Sequence, residues 1–187
     1  MKLPSIQGIP LEYIQSILKI DSTSSTNTSG LIWLPRENLR WNTRFANKSA
    51  GYIHTHAKDG YRRWMINITY NGKPYFVTCS RVIFLLHNGY LTEGKQVDHE
   101  DVNSLNNNID NIRETTPDQN QRNRKIQKNN TSGHKGVYWN KRVGKWVVRI
   151  YKDNKSYSFG YFDNKEDAIK VAIAARKKLH GEFGRDE

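Results

Sequence analysis

A single cysteine, Cys79, is all that this chain of 187 residues contains. One thiol cannot close an intrachain disulfide, and it cannot supply the Cys pairs of a structural zinc site. Cys79 lies in the apolar run from Tyr75 to Leu86, so it is expected to be a buried core thiol rather than a nucleophile. Long hydrophobic runs are missing too. No stretch approaches the roughly 18 apolar residues of a membrane span. The first segment, broken by Pro4 and Pro10, lacks the apolar centre of a signal peptide. The sequence therefore predicts a soluble, intracellular, cytoplasmic protein in a reducing compartment. Hydrophobic residues make up only 36%, which predicts small cores and much working surface. Acid is scarce: 18 Asp and Glu face 30 Lys and Arg, for a net charge of +12. That excess favours a polyanionic partner, because each neutralised phosphate releases counterions. Ribosomal proteins and membrane-surface binders share such a balance, so charge alone makes nucleic acid only the leading option.

The patterning predicts an α+β chain. A helix is expected over Pro10–Lys19, with Pro10 at its first position and Leu11, Ile14, Ile17 and Leu18 on one face. The Ser/Thr/Asn run Asp21–Gly30 reads as a loop, and Leu31–Leu34 as a short strand. Gly51–Thr78 reads as a β-meander turning at Asn71-Gly72, and Ser80–His87 as a buried helix ended by Asn88-Gly89. After a polar, basic linker, strands are expected at Gly136–Asn140, Lys145–Tyr151 and Ser156–Tyr161. A helix should follow from Asp163, with Asp163 as cap, Glu166 completing a capping box and Gly181 as the stop. Its apolar stripe is Ala168, Ala172, Ala175 and Leu179, with Ile169 and Ile173 beside it. At an offset of 82 residues, Gly51, Trp64, Ile68, Lys73 and Tyr75 align with Gly133, Trp146, Ile150, Lys155 and Tyr157. Two similar three-stranded sheets, each followed by a helix, are the expectation.

Between them lies the segment with chemistry. Hydrolysing a phosphodiester needs a base for water near neutral pH, and positive charge beside the leaving oxygen. An imidazole fits the first task, and oxygen ligands holding a hydrated Mg²⁺ fit the second. Asp98-His99 supplies a carboxylate and an imidazole, and Asn111 and Asn120 supply carboxamides. In a strand Asp98 and His99 point to opposite faces, so a shared site calls for a twist or bulge there. Asn111 is expected on a return strand, able to hold His99 through its amide. Asn103, Asn106, Asn107 and Asn108 crowd the intervening loop, and tolerance of left-handed geometry accounts for them. Thr116 should cap a helix with Pro117 at its first position and Gln119 closing a capping box. Asn120 falls in that helix's first turn.

On these residues Val97–Asn123 resembles the HNH family, the ββα-metal nucleases, and especially its phage and intron-encoded homing endonucleases. The matching positions are Asp98-His99, Asn111-Ile112-Arg113 and Asn120. The resemblance implies one Mg²⁺ (or Mn²⁺) per site, ligated by Asp98 and Asn120. It implies His99 as general base, with Asn111 orienting it. Many members carry His where Asn120 stands, and the zinc-binding Cys pairs of some members are missing here. Arg113, Arg122 and Arg124, with Lys125 beside them, are candidate phosphate contacts.

Ser132–Gly184 resembles the Apetala-2/ethylene-response-factor DNA-binding domain. The similarity runs through Gly136-Val137, Lys145-Trp146-Val147-Val148-Arg149-Ile150, Phe159-Gly160-Tyr161-Phe162, Glu166-Asp167-Ala168 and Leu179-His180-Gly181. It implies a three-stranded antiparallel sheet, packed on one helix, that enters the major groove. Trp139, Lys141, Arg142, Lys145, Arg149, Tyr151, Lys155 and Tyr157 are the candidate contacts, and Trp146 is expected to pack on the helix. Tyr138, Asn140 and Arg149 depart from the residues common in plant members, so no sequence preference carries over.

The organisation implied is an N-terminal helix and β-meander region supporting DNA binding over 1–92, the HNH motif over 93–125, a linker over 126–131, and the Apetala-2-like domain over 132–187. The leading expectation is a metal-dependent, site-specific DNA endonuclease of homing type, acting on double-stranded DNA as a monomer or homodimer. A DNA-binding regulator with an inactive HNH fold is the alternative, and a structural RNA-binding protein a third. Retention of all four polar residues opposes the second, and the constellation itself opposes the third.

Overall fold

The computed structural model describes residues 4–23, 26–123, 126 and 129–184. The chain is a mixed α+β protein divided into two compact units, Met1–Thr115 and Thr116–Glu187.

In the first unit β1 (Ser5–Ile6) and β2 (Ile9–Pro10) form a short hairpin that leads into α1 (Leu11–Ile17). Pro10 is the N-cap rather than the first helical residue. The helix stops short of Lys19 because Leu18 turns extended: β3 (Leu18–Ile20) pairs with β4 (Leu31–Trp33), Leu18 opposite Trp33. A helix that periodicity did not predict follows, α2 (Leu39–Phe45), capped by Asn38 through a 3.0 Å bond from the Trp41 amide. It buries no residue, so no apolar stripe marks it. Trp41 packs on Trp33, and the Arg36 guanidinium lies 4.1 Å from the Trp41 ring centre.

The meander forms as expected from β5 (Tyr52–Thr55), β6 (Arg62–Tyr70) and β7 (Lys73–Thr78), in that order across the sheet. Asn71 and Gly72 both have positive φ, 49° and 72°, as a type I′ turn demands. α3 (Cys79–Asn88) lies beneath the sheet and buries Cys79, Val82, Ile83, Phe84 and Leu85. Left-handed Gly89 closes it, the Gly89 amide donating to Leu85 O at 2.8 Å. Burial pushes the Cys79 thiol up to about 12. The last pieces of this unit are β8 (Gln96–His99) and β9 (Ile112–Thr115), an antiparallel pair tied to the core by buried Ile112.

The second unit opens with α4 (Pro117–Asn123). The capping box is present: the Thr116 amide donates to Gln119 Oε1 at 2.8 Å, and the Gln119 amide to Thr116 Oγ1 at 3.1 Å. β10 (Val137–Asn140), β11 (Lys145–Lys152) and β12 (Lys155–Phe162) form the antiparallel sheet, and α5 (Lys165–His180) packs on it. The α5 cap is Asn164, whose side chain accepts from the Glu166 and Asp167 amides. Asp163, one residue early for that role, instead pairs with Lys145 Nζ at 3.1 Å. Ala168, Ala172 and Ala175 are buried, whereas Ile173 faces solvent. Buried Arg176 completes the face by donating to Lys135 O.

The two sheets share order and handed turns, but their glycines match differently from the sequence offset. A Cβ on Gly51 would lie 2.7 Å from Met65 O, and one on Gly136 would lie 2.9 Å from Arg149 O. Both residues precede the first strand and press against the central one. Gly136, rather than Gly133, is therefore the partner of Gly51. The β6–β7 hairpin still matches β11–β12 at the original offset, Ile68 opposite Tyr75 as Ile150 is opposite Tyr157.

Candidate active site

β8 and β9 pair without a break, Gln96 with Thr115, Asp98 with Arg113 and His99 with Ile112. No bulge falls between Asp98 and His99, contrary to expectation. Asp98 instead sits beside Arg113 across the ladder, its carboxylate 4.0 Å from Arg113 Nε and nearly buried. Arg113 also donates to Glu100 Oε1 at 3.2 Å. His99 is the last residue of its strand, where the chain leaves the ladder for the loop.

That loop is held by side chains that mimic turns. Asn103, Asn106 and Asn108 each accept the amide two residues on. None of them has positive φ; the left-handed residue is Val102, at 61°. Asparagine serves here as an acceptor for its own backbone, not for tolerance of left-handed geometry. Asn111 lies in a 3-10 turn, Ile109–Asn111, just before β9 rather than on it. Its Oδ1 accepts the Asp101 amide at 3.1 Å, while Nδ2 donates to Asp101 Oδ1 at 3.0 Å and to Asn106 O at 2.8 Å. Asn111 thus staples the two ends of the loop. Desolvation alone would raise the Asp101 carboxyl. Bonds from Asn106, the Asn103 amide and Asn111, with His99 nearby, outweigh it and hold the group below 3.8.

One side chain bonded to His99 comes from the asparagines that their sequence pattern assigns to the loop. Asn107 is buried, its Oδ1 3.0 Å from His99 Nε2 and its Nδ2 2.9 Å from Ser29 O. A carbonyl only accepts, so the Asn107 amide nitrogen must face Ser29 and its oxygen must face His99. That oxygen in turn requires a proton on Nε2. Nothing in an Asn-dense loop distinguishes Asn107 from its neighbours; only the tertiary contact with Ser29 does.

The second unit holds Asn120, in α4. The Asn120 amide oxygen, like the Asp98 carboxylate of the first unit, is a donor type that a hard divalent cation takes. Among the described residues no three His, Cys, Asp or Glu side chains gather as a metal cage.

On the C-terminal sheet, alternation sorts the candidate contacts. Tyr138, Val147, Arg149, Tyr151, Ser158 and Tyr161 share the face away from α5, by the register of the three strands. Tyr151 is 63% exposed and Tyr161 53%, and Tyr138, Tyr151 and Tyr161 all bear on Arg149, whose pKa the Tyr151 bond raises. Tyr138 and Tyr161 were not anticipated. Trp139 and Tyr157 belong to the helix-side face, Trp139 edge-on to Trp146 at 5.2 Å. Trp146 packs against the core, as expected. Lys141, Arg142 and Lys155 are exposed. Arg122 is engaged by Asp118 and by Asp153. Arg124 and Lys125 lie outside the described residues.

Residues 78–122 match the family model described as HNH endonuclease, and residues 132–182 match the AP2 domain. The chain is 37% identical over 98 residues to Protein 3.8 of Escherichia phage T7, a match covering 52% of this chain and 80% of that protein. No solved structure matches. Among the described residues no helix is long and apolar enough to cross a membrane.

Proposed function

This chain belongs to the HNH endonuclease family and carries an AP2 domain behind its HNH segment, a phosphodiester hydrolase that engages DNA; from that premise we propose a site-specific nicking endonuclease of homing type with His99 as general base. The observation that carries this reading is the bonded line Ser29–Asn107–His99. It puts the imidazole proton on Nε2, so Nδ1 is the nitrogen with a lone pair for water. Nδ1 takes a proton as the water oxygen bonds to phosphorus; the bond to the 3′ oxygen breaks, leaving a 5′ phosphate and, once protonated, a 3′ hydroxyl. A Mg²⁺ or Mn²⁺ ion held by Asp98 and Asn120 supplies positive charge for the leaving oxygen when bound. Asn111 acts one step back, by fixing the loop that delivers Asn107. Arg113 keeps Asp98 oriented and is a candidate phosphate contact.

The outer face of the C-terminal sheet is the proposed major-groove surface, with Arg149, Tyr151, Tyr138 and Tyr161 at its centre and Lys141, Arg142, Lys145 and Lys155 at its rims. The meander of the first unit supports DNA binding, within an organisation of 1–92, 93–125, a linker over 126–131 and 132–187. One ββα site hydrolyses one strand per binding event, so a monomer nicks. Double-strand cleavage takes a homodimer or a second pass.

Supercoiled plasmid incubated with Mg²⁺ tests this. Relaxed circles nicked at a discrete position, lost with EDTA and in Asp98→Ala, are expected. Nicking that persists in EDTA contradicts the metal reading, and cuts scattered over the plasmid contradict site specificity.

A further inference from the structure

We infer that Arg122 is a positioning residue that locks α4, and with it Asn120, onto the DNA-binding sheet of the second unit. The inference rests on Asn120 being a metal ligand, as proposed above. α4 has seven residues, and a helix that short is marginal without tertiary contacts. Its capping box secures only the first turn. The rest is held by the AP2 module. The Arg122 guanidinium reaches Asp153 at 2.9 Å, in the β11–β12 turn, and also bonds Asp118 one helical turn back. Lys135 Nζ donates to Arg122 O at 3.3 Å, Asn123 is buried, and α4 packs against the 3-10 turn Gly181–Phe183. Asp153 and Asn154 both have positive φ, 50° and 60°, the tight turn that aims Asp153.

Sequence alone made Arg122 a phosphate contact. Its side chain is only 11% exposed, and its Nη2 bonds two carboxylates. The helix that carries Asn120 therefore moves as part of the DNA-binding unit, so the sheet's seat in the groove fixes where that amide is delivered.

The test uses the full chain. For Arg122→Ala three readouts are taken: hydrogen exchange of the 118–123 amides in metal-free protein, affinity for a fluorescein-labelled plasmid duplex without divalent metal, and single-turnover plasmid nicking across Mg²⁺ concentrations. Expected are lost protection in α4, a nicking rate about 10–100-fold lower at saturating DNA, a higher Mg²⁺ midpoint and near-unchanged duplex affinity. Asp153→Asn, milder for folding, should move the same readouts less. Arg122→Asp with Asp153→Arg should recover part of the rate that Arg122→Asp loses. Weaker duplex affinity with an unchanged saturated rate would return Arg122 to a phosphate contact and overturn the proposal, as would unchanged exchange in α4. Asn120→Ala judges the underlying reading separately: wild-type nicking there removes the ligand, while the exchange result still decides whether Arg122 holds the helix.

Discussion

A buried asparagine can set the chemistry of a neighbouring imidazole without touching substrate. Asn107 has one carbonyl on one side and His99 on the other, and that asymmetry selects a tautomer. Asn107→Ala should lower nicking about 10–100-fold with DNA affinity intact, read as single-turnover rate against binding; equal loss of both would make Asn107 a folding residue only. Asp101 provides a pH test. Its carboxyl is depressed on folding, so the stability it contributes is fully present above the unfolded value and lost as pH falls through the folded value. Comparing wild type with Asp101→Asn by denaturation, the wild-type advantage should shrink as pH falls through and below the ordinary carboxylate value of 3.8. An advantage that grows on acidification would refute this.

At the scale of elements, the sequence was legible wherever local chemistry decided the outcome. Thr116, Pro117 and Gln119 announce α4, and Asn71-Gly72 announces the β6–β7 turn, because caps and turns are made by adjacent residues. Thr116→Ala should cost about 1 kcal/mol and show first as faster exchange in α4; unchanged exchange there would mean that the cap does not limit the helix. Where tertiary contacts decide, the sequence was mute. α2 has no buried stripe, only Asn38 and a Trp–Trp contact. Asn164 displaced Asp163 as cap, a choice of one position that both side chains satisfy equally on paper. The four residues of the HNH pattern were visible in order, but the selection of Asn107 among four loop asparagines depends on Ser29, 78 residues away. Arg122 likewise reads as a free cation until Asp153 is brought beside it.

For the whole molecule, a net charge of +12 and an aromatic, arginine-centred sheet face should divide binding into two components. Affinity should fall steeply with salt, about 0.9 in the logarithmic slope per phosphate contact. Arg149→Ala should reduce that slope by about 1 if it contacts phosphate, whereas Tyr151→Ala should weaken binding at unchanged slope. Identical slopes for both variants and wild type would put Arg149 elsewhere than on the backbone.

The most direct measurement is nicking of supercoiled plasmid by His99→Ala beside wild type, at saturating protein and Mg²⁺, with duplex affinity measured in parallel. Relaxed circles should form with wild type and be lost by a factor of about a hundred or more in the variant, whose affinity stays the same. Undiminished nicking by His99→Ala would show that the imidazole beside Asn107 is not the base.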